Sequence, residues 1–155
     1  MKLIQAVLFS LSIVLALPAA AQTASDMKIL ADKVKADKKL VVAANMQLTE
    51  AEAKGFWPVY EAYQKDLAGI NKRLFGAIKN YADAYNKGPV SDAAAKKLLN
   101  QAIAVEEAEV KLKRSYVPKL EKVIPGTKVA RYIQIENKIR AVVKYELAAQ
   151  IPLVN

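Results

Sequence analysis

The chain has 155 residues, with 24 Lys and Arg against 15 Asp and Glu, a net charge of +9, no His and no Cys. Without His it lacks the usual general base at neutral pH and the usual catalytic zinc ligand, and without Cys it has no thiolate nucleophile, soft-metal site or disulfide. The length suits one domain with a thin core, and the positive balance points to acidic or unfolded proteins, anionic surfaces or nucleic acid as partners.

Met1 and Lys2 give a short positive start, Leu3 to Leu17 is an almost unbroken apolar run, and Pro18-Ala19-Ala20-Ala21-Gln22 is a small-residue cleavage site. Residues 1–21 therefore read as a secretory signal peptide cut between Ala21 and Gln22. The run is shorter than the roughly 20 residues of a spanning helix. No later segment is long and apolar enough, so the mature chain is expected to have no membrane span. The expected layout is a signal peptide over 1–21 and a single helical domain over 22–155. A signal of this bacterial type places the protein in the periplasm, which argues against nucleic acid as a partner.

A polar leader over 22–26 offers Ser25 or Asp26 as a cap, and a first helix is expected from about Met27 to Asn45 with Leu30, Val34 and Val41 on one face. The second helix starts sharply. Thr49 and Glu52 form a capping box, and Leu48 sits where a hydrophobic staple belongs. From Phe56 onward the apolar residues Tyr60, Tyr63, Leu67, Ile70, Leu74, Ala77 or Ile78, and Tyr81 follow in steps of three and four. That is a seam by which a long helix packs on a partner. Pro58 lies inside this helix and predicts a kink near 54–58. Lys87-Gly88-Pro89 ends it.

Ser91 is expected to cap a third helix carrying Ala95, Leu98, Leu99, Ala102, Ile103, Val105, Leu112 and Tyr116. Glu107–Lys111 and Glu109–Lys113 have the favourable order for ion pairs one turn apart. Pro118 is expected to bend or break it, with a short extension over 119–124. Thr127 is the expected cap of a fourth helix, from about Lys128 to Gln150, that turns Tyr132, Ile135, Ile139, Val142, Val143 and Leu147 inward. The fold class is all-α: four helices, long, kinked and amphipathic, packed as helical hairpins. A faint echo relates Leu48 and Phe56 to Ile124 and Tyr132, each pair eight residues apart.

Glu106, Glu107 and Glu109 together with Asp83 are the candidates for acid–base work, and lysines one turn away make them read as a solvated face. No loop gathers oxygen ligands for a hard cation. The expectation is a non-enzyme with no cofactor and no required metal. The tyrosines suit either a thin core with hydroxyls at its rim or a contact surface for another chain. Gly55, Ala62, Gly69 and Gly76, spaced by seven, form a small-residue stripe. Glycine inside a helix costs about 1 kcal/mol relative to alanine, so the stripe predicts either a closely packed helix or a groove left for a client.

Leu48, Thr49 and Glu52, with the signal peptide and four-helix layout, resemble the Spy/CpxP family of periplasmic proteins. That family carries an L-T-x-x-Q motif, usually twice. Here Glu stands for Gln in the first copy, and Ile124-Pro125-Gly126-Thr127 keeps only the apolar residue and the turn of the second. The resemblance implies a cradle-shaped antiparallel homodimer and ATP-independent chaperone or stress-response activity toward unfolded or misfolded proteins. The chain's end, Arg131 to Pro152, also resembles small secreted bacterial proteins of no assigned activity.

The expected contact surface for clients takes Lys65, Lys72, Arg73 and Lys79 for the attracting field and Phe56, Trp57 and Tyr60 for apolar contact. The rival expectation is a structural or adaptor protein whose seam pairs with one specific envelope protein or whose basic face meets an anionic envelope surface.

Overall fold

In the computed structural model the described residues are 37–154. The signal peptide, its cleavage site at Ala21 and Gln22, and most of the first expected helix lie outside them. Four helices make up the described chain: α1 over 37–46, α2 over Glu50–Tyr85, α3 over Asp92–Glu121 and α4 over Gly126–Gln150. The fold is all-α, and there is no strand among the described residues.

Local chemistry sets the helix ends. Thr49 Oγ1 accepts from the Glu52 amide at 3.3 Å, and the Glu52 carboxylate accepts from the Thr49 amide at 2.7 Å, so the capping box is complete. Gln47 takes a positive φ of 49° in the α1–α2 turn. Two α4 cations hold that turn: Lys128 donates to the Gln47 carbonyl and Arg131 to its side chain. Gly88, at φ 119°, closes the α2–α3 turn, and the Ser91 hydroxyl caps α3 by accepting from Ala94. The cap expected at Thr127 is not used. Pro125 is the N-cap of α4 and makes no side-chain cap bond, because proline pre-sets its own φ and Thr127 falls inside the first turn.

Neither internal proline ends its helix. Both α2, 36 residues long and about 54 Å at 1.5 Å per residue, and α3, 30 residues long, continue through Pro58 and Pro118. The expected break and separate extension after Pro118 are therefore absent. Pro58 falls within about three turns of the N-terminus of α2. The missing donor there costs one interior bond, which packing on both sides of it outweighs.

The cross-links give the topology. Lys38 of α1 meets Gln64 of α2, Arg73 of α2 meets Ala104 of α3, and Gln64 meets Glu136 of α4. Chain direction alternates up and down across the four helices. The core lies where all four meet: Val42, Met46, Phe56, Tyr60, Tyr63, Tyr116, Leu120, Ile124, Val129 and Tyr132 are buried. Phe56 and Tyr132, the two aromatics of the sequence echo, touch edge to face with ring centroids 5.1 Å apart. Tyr63 stacks in the same manner on Tyr116 at 5.2 Å. Such pairs contribute about 0.5–1.5 kcal/mol each beyond their burial.

A polar layer crosses the bundle directly above this core. Lys38 donates to Gln64 and to Glu136 at 2.8 Å each, and Gln64 donates to Glu136 at 2.8 Å and to the Tyr132 hydroxyl at 3.3 Å. Glu136 is buried among them. Beyond the layer the described residues belong to α2, α3 and α4.

Candidate functional site: an apolar cleft beyond the polar layer

The seam on α2 changes character along its length. Phe56, Tyr60, Tyr63, Leu67 and Ile70 are buried, whereas Leu74, Ala77, Ile78 and Tyr81 are only half-buried. Those last four face Leu98 and Leu99 of α3 and Leu147 of α4 across an open cleft of about 530 Å³. This volume falls within the range of ligand pockets. Its walls are almost wholly apolar. Among the described residues Leu99, Ile103, Tyr145 and Leu153, on this end of α3 and α4 and the tail after them, are large apolar side chains exposed to solvent.

The cleft's charged groups sit toward the polar layer. Glu109 is 6 % exposed, and its carboxylate forms an ion pair with Arg140. Arg140 also donates to Asn71 at 2.9 Å. Burial pulls the Arg140 guanidinium below the usual arginine range. Further out, Lys144 pairs with Glu106 at 3.0 Å. Thus Glu109, expected on a solvated face with Lys113, is instead an interior group that bridges to α4, while Lys113 donates to Asn137.

Phe56, Trp57 and Tyr60 do not form the expected exposed contact surface. Phe56 and Tyr60 are 0 % exposed, and Trp57 is half-buried against the core with Lys39 over its ring at 5.0 Å. The ladder that selected them is the bundle's own seam. Lys65, Lys72 and Lys79 are exposed. Seven-residue spacing puts them in one stripe on the face of α2 opposite that seam. Lys79 bridges Asp83 at 2.6 Å and holds its carboxyl below the usual range through that hydrogen bond. Arg73 lies to the side and reaches the Ala104 carbonyl at 3.4 Å. Field and apolar contact are therefore on different faces of α2, not on one surface. Leu48, Thr49 and Glu52 cap α2 at the far end of the molecule from the cleft, and Lys128 lowers the Glu52 pKa through a direct hydrogen bond.

The small-residue stripe divides in the same way. A Cβ on Gly55 would lie 2.9 Å from Val123 Cβ, so the loop after α3 packs closely there. At Gly69 and Gly76 nothing among the described residues lies within 4 Å.

Sequence reasoning missed Glu136 and Arg140 and placed Glu109 on a solvated face. The signal is present: Val105, Glu109, Leu112 and Tyr116 form one stripe in steps of four, three and four, and a carboxylate on an apolar stripe marks a buried partner. Among the described residues no three acidic side chains gather as a metal site, and no helix is long and apolar enough to cross a membrane. No protein-family model matches the chain, and neither the curated proteins nor the solved structures give a match.

Proposed function

We propose that this is a non-enzymatic, exported binding protein that holds apolar parts of non-native polypeptides, without nucleotide, in the cleft between α2, α3 and α4. The observation that carries the reading is the cleft itself: about 530 Å³, apolar, open, and bordered by exposed Leu99. Contiguous exposed apolar surface on a soluble domain marks an interaction site. The capping box at Leu48, Thr49 and Glu52 and the signal peptide support membership of the Spy/CpxP group, whose members bind unfolding or misfolded proteins in the periplasm. The lysine stripe on the opposite face of α2 serves long-range attraction of acidic clients, and its effect weakens with salt.

The test is suppression of aggregation of a chemically denatured enzyme at near-stoichiometric ratio without ATP. The wild-type chain is expected to suppress it, and Leu99→Asp, at an exposed position of the cleft wall, is expected to lose most of the effect while keeping its helical circular dichroism. Absence of suppression by the wild-type chain at both low and moderate salt overturns the proposal. An adaptor for one envelope partner, or a homodimer formed through the cleft, would instead give a single stable stoichiometric complex.

A further inference from the structure

The C-terminal tail runs along the rim of the cleft. Helix α4 ends at Gln150, and Ile151 leaves it with extended backbone, φ −90° and ψ 113°. Ile151 and Val154 line the cleft, whereas Leu153 between them is 90 % exposed. Among the described residues one hydrogen bond fastens the segment to a different helix: the Tyr81 hydroxyl donates to the Pro152 carbonyl at 2.8 Å. The Tyr81 ring is placed by Tyr85, one turn on, with centroids 5.9 Å apart.

This arrangement has the two parts of extended-peptide recognition. Apolar side chains enter a wall, and a protein donor reads a main-chain carbonyl. The carbonyl bond carries no side-chain information, so any extended apolar segment can make it. The charges at the inner end also favour a peptide over an anionic amphiphile. Arg140 and Lys144 are each matched by a carboxylate, Glu109 and Glu106, so the wall is charge-compensated and suits an uncharged occupant. Among the described residues the tail's own hold is slight: one neutral hydrogen bond at the surface and two side chains, of which Val154 stays 54 % exposed.

We propose that the cleft takes an extended apolar polypeptide segment, with Tyr81 donating to one of its main-chain carbonyls, and that residues 151–154 occupy this position in cis until such a segment displaces them. The inference rests on the cleft being the binding site, and it narrows the ligand class and adds an internal competitor. An occupied site lowers apparent affinity by the fraction of chains in which it is open.

The experiment is fluorescence anisotropy with a labelled synthetic peptide copying residues 149–155. It is titrated with the mature chain, with a chain ending at Gln150, and with Tyr81→Phe in each. The shortened chain is expected to bind about fivefold tighter or more. Tyr81→Phe is expected to weaken the shortened chain by roughly threefold or more. In the full chain its effect is smaller, because tail and peptide lose the same bond. Equal affinity of full and shortened chains overturns the competition but leaves the cleft reading in place. No binding by a shortened chain that stays helical overturns the peptide assignment. If aggregation is still suppressed in that case, only this inference falls, and if it is not, the cleft reading falls too. Anionic phosphatidylglycerol vesicles bound in preference to the peptide overturn the ligand class. A doubled mass of the shortened chain by light scattering assigns the cleft to a second copy and overturns it as well.

Discussion

Glu109 of α3 and Arg140 of α4 pair across the inner end of the cleft, and the carboxylate is almost fully buried. The pair ties α3 to α4 at a level where α1 is no longer present among the described residues. Removing one partner leaves the other charged and dry. Glu109→Ala is expected to destabilise the fold by about 3–5 kcal/mol, while the double change Glu109→Leu with Arg140→Met is expected to be near neutral or stabilising. Urea unfolding of the two variants beside the wild type checks this, and a strongly destabilised double variant would contradict it.

The three glycines of α2 differ in sign. At Gly69 and Gly76 a methyl group meets no atom of the described residues within 4 Å. Alanine there should stabilise by about 0.5–1 kcal/mol each through helix propensity. At Gly55 the same methyl would press on Val123 Cβ and Cγ1, at 2.9 and 3.1 Å, and neither atom is the free end of a flexible chain. Overpacking costs about 1–3 kcal/mol and exceeds the propensity gain. Gly55→Ala should therefore destabilise, and Val123→Ala in the same chain should return part of the loss. Thermal melts of the four variants decide it.

Four interior tyrosines set an alkaline limit. Burial, with a further push from nearby carboxylates, raises Tyr60, Tyr63 and Tyr132 well above the ordinary value of 10.0. Tyr116 is pushed up to about 12 by burial and by its bond to Asp66. These groups stay protonated in the folded chain at pH values where the unfolded chain ionises them. Their contribution is fully present below pH 10 and is lost as pH rises through the folded values. Stability should fall steeply above about pH 10, with phenolate absorbance from these four appearing together with unfolding. Phenolate signal from all seven tyrosines before any loss of helicity would contradict this.

The capping box ties two elements together. Glu52 accepts from the Thr49 amide and from Lys128 of α4. Its folded pKa is depressed, first by the Lys128 hydrogen bond. Its contribution is therefore present above the unfolded value near 4.5 and lost as pH falls through the folded value. Thr49→Ala should cost about 0.5–2 kcal/mol at neutral pH. Glu52→Gln should flatten the loss of stability on acidification below pH 4.5. Denaturant midpoints across pH 3–7 test both.

The helices were legible because periodicity and caps are local. Thr49, Ser91 and Gly88 act as their neighbours in sequence demand, and the spacing from Phe56 to Ile70 is the core. What periodicity cannot tell is which stretch of a seam is covered. Phe56 and Leu74 occupy the same stripe, yet one is sealed by α1, α3 and α4 and the other borders a cleft. The charged residues misled for a related reason. Glu109 and Lys113 are spaced for a surface pair, but the partner that decided Glu109's place comes from α4, 31 positions further along the chain.

The layer of Lys38, Gln64, Glu136 and Tyr132 has a consequence for motion. Polar side chains with specific partners do not slide past one another as apolar ones can, so the layer holds α1, α2 and α4 in one register. The aromatic region, where all four helices meet, is expected to open only with global unfolding. Amide hydrogen exchange should divide at this level: slow from Phe56 to Leu67 and from Tyr116 to Leu120, and faster in the stretches of α2 and α4 that flank the tail.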